Sequence, residues 1–460
     1  MESRPLSALL ISTYELGRQP FGLTSPAAWL ERAGASVTCL DLSRDALREE
    51  LVRSADLIAF YVPMHTATRL AIDVLPEVRK LNLRAHLCFY GLYAPVNEPY
   101  LRKLGAETVL GGEFETGLVA MFKRLISGCK EPGGQPEPLV NLERLSFLMP
   151  RRDDLPPLSR YAHLTLPSGE QRVVGYTEAS RGCKHLCRHC PIVPVYNGQF
   201  RIVQPAVVLA DIRQQEAAGA QHITFGDPDF FNGPRHAIDI VTRLHEEHPN
   251  LTYDVTIKIE HLLKHAQHLS TLRDTGCLFV TSAVESVDDS ILARLDKGHT
   301  YADFASVAEL FRDVRLTLSP TFVPFTPWTA IEGYCELLDR IAYLNLIENI
   351  APIQFAIRLL IPAASRLLNL PEVRALVGPF DEVALVYPWA NEDSCVDELC
   401  VRILNIVRKG EKDRDSRRAI FSRIWSLARS VARLSLAEFP RSDDLVSRAA
   451  IPFLTEPWYC

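Results

Sequence analysis

The stretch Ser180-Arg181-Gly182-Cys183-Lys184-His185-Leu186-Cys187-Arg188-His189-Cys190-Pro191 gathers three of the chain's eleven cysteines at C-x3-C-x2-C spacing. In a shuffled chain of this composition that spacing would arise on the order of 0.006 times, so accident does not explain it. Three thiolates so placed can wrap one iron–sulfur cube and leave one of its irons without a protein ligand. An open metal position is what catalysis needs and a structural metal does not. On spacing alone, a zinc site with His185 or His189 as fourth ligand is the alternative. Gly182 permits a tight turn into the loop, while Arg181, Lys184 and Arg188 set positive charge beside an anionic centre.

The remaining cysteines, at 39, 88, 129, 277, 335, 395, 400 and 460, are scattered. A total of eleven cysteines, odd and mostly widely spaced, is a poor disulfide framework, and free thiols point to a cytoplasmic protein. The start, Met1-Glu2-Ser3-Arg4-Pro5, lacks the basic-then-apolar build of a signal peptide. No window approaches about 18 uninterrupted apolar residues, so no membrane span is expected. Fifty Lys and Arg stand against 56 Asp and Glu, for a net charge of -6, which argues against nucleic acid as a partner. At 47% hydrophobic and 23% charged residues, the composition excludes disorder, collagen and coiled coil.

The 460 residues need two or three domains to hold such a loop in place. Over residues 1–130, short apolar runs at 6–12, 37–42, 57–62, 86–90 and 108–110 read as buried parallel strands. Between them lie helical stretches, one beginning at Ser25-Pro26 and others near 44–53, 67–81, 97–104 and 113–126. This is a doubly wound parallel sheet with its crevice at the strands' carboxyl ends. Residues 131–170 are a Pro-rich linker packed over a surface. Residues 171–365 return to βα alternation, with strands at 173–179, 222–225, 253–259, 278–284, 316–323 and 353–360 and helices that include 206–217, 235–246 and 331–344. They predict an α/β partial (β/α)6 barrel whose function lies at the strands' carboxyl ends. The zinc reading fits that position poorly, since reactive centres belong there. Residues 366–460 read as mostly helical, notably 417–436.

The cysteine loop, its place after the first strand of the second domain and the βα units behind it resemble the radical S-adenosylmethionine (SAM) enzymes, over most of residues 171–362. The resemblance implies that Cys183, Cys187 and Cys190 hold a [4Fe–4S] cluster whose unique iron chelates the amino and carboxylate groups of SAM. One electron, from a donor such as flavodoxin or ferredoxin, then cleaves SAM to methionine and a 5′-deoxyadenosyl radical. His189 stands where the family often has an aromatic residue. Gly226-Asp227-Pro228-Asp229-Phe230-Phe231 occupies the place of the family's Gly-Gly-Glu region, so Asp227 or Asp229 is expected at the SAM ammonium, with a helix-capping turn as the alternative. Lys258 and Glu260, two apart at the end of the third strand, share one face; they either contact ribose or carboxylate or form a solvated strand end. Glu285 is the polar candidate near the adenine, and Pro324-Phe325-Thr326-Pro327-Trp328 either roofs it or packs as a rigid loop.

Residues 1–130 resemble the cobalamin-binding domain that precedes many radical SAM barrels. Gly111-Gly112 matches the diglycine through which that family's backbone approaches the cofactor's nucleotide tail. The family's Asp-x-His-x-x-Gly loop is missing, because this chain reads Thr13-Tyr14-Glu15-Leu16-Gly17-Arg18. Relatives either bind cobalamin without that histidine or keep the fold with no corrinoid, and both alternatives stand. His65 follows the third strand, where capping or packing is its expected role.

The ending Leu454-Thr455-Glu456-Pro457-Trp458-Tyr459-Cys460 resembles a radical SAM group named for a Cys-Sec-Ala-Glu-Pro or Cys-Cys-Ala-Glu-Pro tail. The resemblance implies that Cys460 is half of a redox pair continued by a selenocysteine codon. Cys395 and Cys400 are expected to be structural. The expected protein is a cytoplasmic radical SAM enzyme that starts hydrogen abstraction or methyl transfer on a small-molecule or peptide substrate. A noncatalytic iron–sulfur or corrinoid-binding regulator and a tRNA-modifying radical SAM enzyme are the competing readings.

Overall fold

The computed structural model describes residues 6–128, 137–434 and 451–456 of the chain. Six parallel strands form the first sheet: β1 (Ser7–Ser12), β2 (Ser36–Asp41), β3 (Leu57–Tyr61), β4 (His86–Tyr90), β5 (Thr108–Gly112) and β6 (Val140–Asn141), in the order β2-β1-β3-β4-β5-β6. The central strands are apolar on both faces because helices cover both. Leu10, Leu57 and Cys88 face one core, while Leu9, Ile58 and Phe89 face the other. The strand order reverses between β1 and β3, which opens a crevice at the carboxyl ends there.

The five expected strands are present to within two residues, whereas two helices differ. The helix expected from Ser25-Pro26 begins at Phe21 and carries Pro26 inside it. Proline lacks the N–H that would bond the Gly22 carbonyl one turn back. The Tyr90 hydroxyl donates to that carbonyl instead, at 2.8 Å. The helix expected over 44–53 shrinks to Glu49–Ser54, since Asp41 accepts from the N–H groups of Ser43, Arg44 and Asp45 and holds them in a turn. Within the Pro-rich segment, β6 extends the first sheet, and Leu145, Phe147 and Leu158 then enter the core of the second layer.

The chain continues through β7 (His163–Thr165), β8 (Gln171–Thr177), β9 (Ser180–Gly182), β10 (Phe200–Ile202), β11 (His222–Phe225), β12 (Thr252–Thr256), β13 (Cys277–Glu285), β14 (Thr317–Phe322) and β15 (Phe453–Leu454). Strands β8, β11, β12, β13 and β14 run parallel in a curled half-barrel sheet of order β14-β13-β12-β11-β8-β7-β15, which β7 and β15 extend antiparallel. The sixth strand expected at 353–360 is absent. Pro352–Phe355 coils into a 3-10 turn, and the Gln354 side chain takes the Phe322 N–H at the sheet edge that strand backbone would have taken. Only one bridge, Phe325 to Arg358, continues the pairing. Helices Ser394–Asp413 and Arg417–Val431 close the core, with Val396, Leu399, Ile403, Ile420, Ile424 and Ala428 turned inward at three- to four-residue spacing.

Candidate functional site

The cysteine loop leaves β8 and is pinned at its base by the β9–β10 hairpin, where Gly182 pairs with Phe200. Gly182 has φ +74°, and a Cβ there would lie 2.4 Å from the Tyr196 ring and 2.6 Å from the Gln199 carbonyl. Only glycine fits. Arg188 fixes the loop's outer side by donating to the carbonyls of Ala293 and Arg294, the C-terminal end of helix Asp289–Leu295. Asn232 accepts from the Lys184 N–H and donates to the Gly182 carbonyl. Cys183, Cys187 and Cys190 thereby line one cavity of about 510 Å³ between the carboxyl ends of the two sheets. Burial pushes the Cys183 thiol up to about 11 and the Cys190 thiol up to about 12, so a metal that binds their thiolates releases protons.

The three sulfurs bear on the zinc alternative. A lone zinc with bonds of about 2.3 Å needs its sulfurs about 4 Å apart. Among the described residues, the metal-type donors gathered within 4.8 Å of one another are Cys183, His185 and Asp229, not the three thiols. His189 is engaged elsewhere, 3.1 Å from Glu285. Three thiols on one wall, set wider than one small ion spans, fit a cube that gives each its own iron.

Around the loop stand the expected polar residues. Asp227 is buried; it accepts from the Ala179 N–H at 2.9 Å and the Ser180 hydroxyl at 2.5 Å, and burial raises its carboxyl to about 7. Asp229 caps the turn at Phe231 and holds Oδ2 2.6 Å from His261 Nδ1 and 3.4 Å from His185 Nε2, near enough for ion pairing though not aligned as hydrogen bonds. Although burial opposes it, these two imidazoles hold the Asp229 carboxyl below its ordinary value. Lys258 and Glu260 are not on a strand: β12 ends at Thr256, and Lys258 precedes the short helix Ile259–Lys264. Lys258 Nζ reaches His185 Nδ1 at 3.0 Å and lines the cavity, whereas Glu260 is half-exposed and touches Lys258 from outside.

Glu285 ends β13 at φ +71°, where the register against β14 shifts. It pairs with Lys297 at 3.2 Å and His189 at 3.1 Å, and despite its burial the Lys297 ammonium brings its carboxyl down to about 2. Lys297 escaped sequence reasoning because it lies twelve residues further on, in a loop with no motif. It is buried, and the field of Cys187 and Cys190 helps raise its pKa after that of Glu285. The positive charge expected from Arg181 is spent elsewhere. Its guanidinium pairs with Glu113, Glu115 and Glu178 at 3.3, 2.8 and 2.7 Å and stacks over Phe21, Phe114 and Phe147. Arg181 ties β5 to the half-barrel, and Lys297 and Lys258 serve the cysteines. Lys184 is exposed, its ammonium over the Phe200 ring. Trp328 packs in a separate apolar cluster, which supports the rigid-loop account of residues 324–328.

At the opposite wall, the diglycine is occupied by the chain itself. A Cβ on Gly111 would fall 2.1 Å from Pro95 Cγ, and one on Gly112 2.1 Å from the Asn141 carbonyl of β6. The rings of Tyr61, Tyr90 and Phe114 pack 5.0 to 6.0 Å apart beneath the crevice, with Tyr61 against Gly22. These residues do not fit the nucleotide tail of a corrinoid, which would have to displace them. His65 bonds the Ala384 carbonyl at 2.7 Å and does not line the cavity. Glu15, in the loop where the family's histidine would stand, does line it. Cys460 lies outside the described residues. Cys400 is buried and Cys395 exposed.

A doubly wound sheet stacked on a curled half-barrel, with a three-cysteine loop facing the cavity between them, is an architecture shared with known enzymes. Cobalamin-dependent SAM radical enzyme OxsB, solved with aqua-cobalamin and SAM bound, superposes with a TM-score of 0.70 at 14% identity, covering 88% of this chain and 67% of that one. The radical SAM methyltransferase TsrM from Kitasatospora setae, solved with cobalamin and a [4Fe–4S] cluster, gives 0.57 at 16% identity and 74% coverage of both. At such identities the likeness is one of fold. Residues 177–337 match the family model of the radical SAM superfamily, and this stretch is a radical SAM domain. Over 201 residues the chain is 24% identical to tRNA-2-methylthio-N(6)-dimethylallyladenosine synthase of Chlorobium luteolum, covering 39% of this chain. It spans only 41% of that relative's length.

Proposed function

We propose that the protein is a radical SAM enzyme that cleaves SAM reductively at a [4Fe–4S] cluster held by Cys183, Cys187 and Cys190. The cleavage starts hydrogen abstraction from a small-molecule or peptide substrate. One observation carries the reading: the three cysteines of one loop face the same cavity as charged side chains from the carboxyl ends of the half-barrel strands. When bound, the cluster supplies the electron that splits SAM into methionine and a carbon-centred radical.

The chain's own groups would do the rest. Lys297 and Lys258 offset the negative charge of thiolates in a buried site. Asp227, Asp229, Glu285 and Lys258 ring the loop and would hold the amino, carboxylate and ribose groups of SAM. Asp227 also ties the β8–β9 connection in place, so that the loop and the SAM site are positioned by one carboxylate. Phe225, Phe279 and Phe322 wall the cavity with apolar surface that excludes water from a reactive intermediate. An electron donor of the flavodoxin or ferredoxin kind would work with it in the cytoplasm, and no helix among the described residues is long and apolar enough to cross a membrane.

Methyl transfer through a corrinoid is not part of this reading, because the diglycine and the aromatic rings beside it are filled by the protein. Nor is tRNA modification, since the net charge of -6 offers no excess of cations for a polyanion. Anaerobic reconstitution followed by reductant tests the proposal. It predicts about four irons per chain and formation of 5′-deoxyadenosine from SAM, both lost in Cys183→Ala. Iron without 5′-deoxyadenosine would instead support a noncatalytic iron–sulfur regulator.

A further inference from the structure

The far end of the cavity is built around a carboxylate that nothing in the fold explains. Glu15 sits in the turn that leaves β1, at the reversal of strand order where doubly wound sheets take their ligands. It is 5% exposed and lines the cavity, and its Oε2 has no hydrogen-bond partner among the described residues. The turn cannot swing it out to water. The Thr13 hydroxyl donates to the Ala67 carbonyl at 2.8 Å, and the Ala162 N–H donates to the Gly17 carbonyl at 2.8 Å, which braces Glu15 from both sides.

A buried carboxylate without donors is unfavourable unless something supplies them. The nearest cation in the sequence does not: the Arg18 guanidinium instead lies over the Tyr176 ring, 4.9 Å from its centroid. Arg181 is shared among three other carboxylates. With Asp41 and Glu178, Glu15 makes three carboxyl groups against two nearby cations, Arg18 and Arg152, and Arg152 is already paired with Asp211 at 2.8 Å. Tyr61 and Tyr176 line the same cavity close enough for the Glu15 charge to act on both, and Arg18 already covers the Tyr176 ring. Burial and the nearby Glu178 charge raise the Glu15 pKa well above its ordinary value, as expected for a site lacking its counter-ion.

We propose that the first sheet's side of the cavity binds a cationic group of the substrate, an ammonium or alkylammonium, on the Glu15 carboxylate. The inference deepens the reading above, on which it rests only in taking the occupant to be the substrate of that centre. It places the substrate's charge on the first sheet's side of the cavity, whereas the cysteine loop belongs to the half-barrel's side. It also gives the first domain a ligand other than a corrinoid.

The test measures binding of putrescine, tetramethylammonium, n-butyrate and hydroxocobalamin to the full-length, reconstituted protein by titration calorimetry, without reductant or SAM. The expected result is saturable binding of at least one of the two cations and none of butyrate or hydroxocobalamin. Glu15→Gln should weaken the cation by about 10- to 100-fold, the loss of one charge-assisted contact, while Glu247→Gln, a surface partner of Arg213 away from the cavity, leaves it unchanged. Thermal melting of Glu15→Gln at or above the wild-type temperature shows that the loss is not misfolding. No cation binding, equal binding by wild type and Glu15→Gln, or stoichiometric hydroxocobalamin binding overturns the inference. Cys183→Ala should keep cation binding while losing 5′-deoxyadenosine formation, so failure of either proposal is read without the other.

Discussion

The two ends of one cavity handle buried charge in opposite ways. At the cysteine end most charged side chains face an opposite charge or an imidazole: Glu285 with Lys297 and His189, Asp229 with His185 and His261, Lys258 with Glu260, while Asp227 is held by neutral donors. On the first sheet's side Glu15 Oε2 meets no hydrogen-bond donor among the described residues, and the attraction of Arg18 and Arg152 does not offset its burial. A paired set is pre-organised and can hold Glu285 in a left-handed conformation without an occupant. An unpaired carboxylate is a vacancy in the charge balance that a ligand fills. On the proposals above, the contrast would separate a part of the site that holds cofactors from a part that takes the substrate's charge.

That contrast can be broken at either end. Lys297→Met should have the largest effect, leaving Glu285 buried without its main counter-ion and lowering stability by about 3–5 kcal/mol in urea denaturation. A change under about 1 kcal/mol would mean that the pair is not what organises this end. Acid should probe the same pair. The Glu285 carboxyl is depressed to about 2, so its stabilisation is fully present above the unfolded value near 4.3 and is lost as the pH falls from there toward 2. The shift corresponds to about 3 kcal/mol over that window, and the acid limb of Glu285→Gln should be flatter by that amount.

At the other end the sign should reverse. Glu15→Gln is expected to stabilise the ligand-free protein by about 1–2 kcal/mol at neutral pH, because folding no longer has to protonate a raised carboxyl or bury it ionised. If both Lys297→Met and Glu15→Gln destabilise, the two ends do not differ as described. The smallest effect belongs to Tyr90→Phe, which strands the Gly22 carbonyl that Pro26 cannot satisfy, at about 1 kcal/mol. A null result there would mean that water reaches that carbonyl.

Much of the frame was legible in the sequence, for physical reasons. Buried parallel strands are continuous apolar runs, so β1 to β5 of the first sheet and β11 stand out. The cysteine loop is legible because ligand spacing is local. What failed was non-local. The Pro26 helix extends backward only because Tyr90, sixty-four residues away, replaces the missing N–H. The run at 353–360 looks like a strand, yet Pro352 and the Gln354 side chain take over its edge. Lys258 and Glu260 alternate as strand residues do, but the chain has already turned into a helix. Lys297 and the solitary state of Glu15 are relations between distant residues, which no local pattern encodes. At Gly111-Gly112 the closely approaching atoms belong to Pro95 and β6, a relation that no local pattern encodes.

The central claim is that the Cys183, Cys187 and Cys190 loop is a reductive SAM-cleaving centre. Chromatographic measurement of 5′-deoxyadenosine from SAM, with reductant and anaerobically reconstituted protein, tests it most directly. The account predicts 5′-deoxyadenosine in the wild type alongside about four irons per chain, and none in the Cys183→Ala, Cys187→Ala or Cys190→Ala variants. A fully loaded wild type that forms no 5′-deoxyadenosine, or a Cys183→Ala variant that still forms it, would contradict the account.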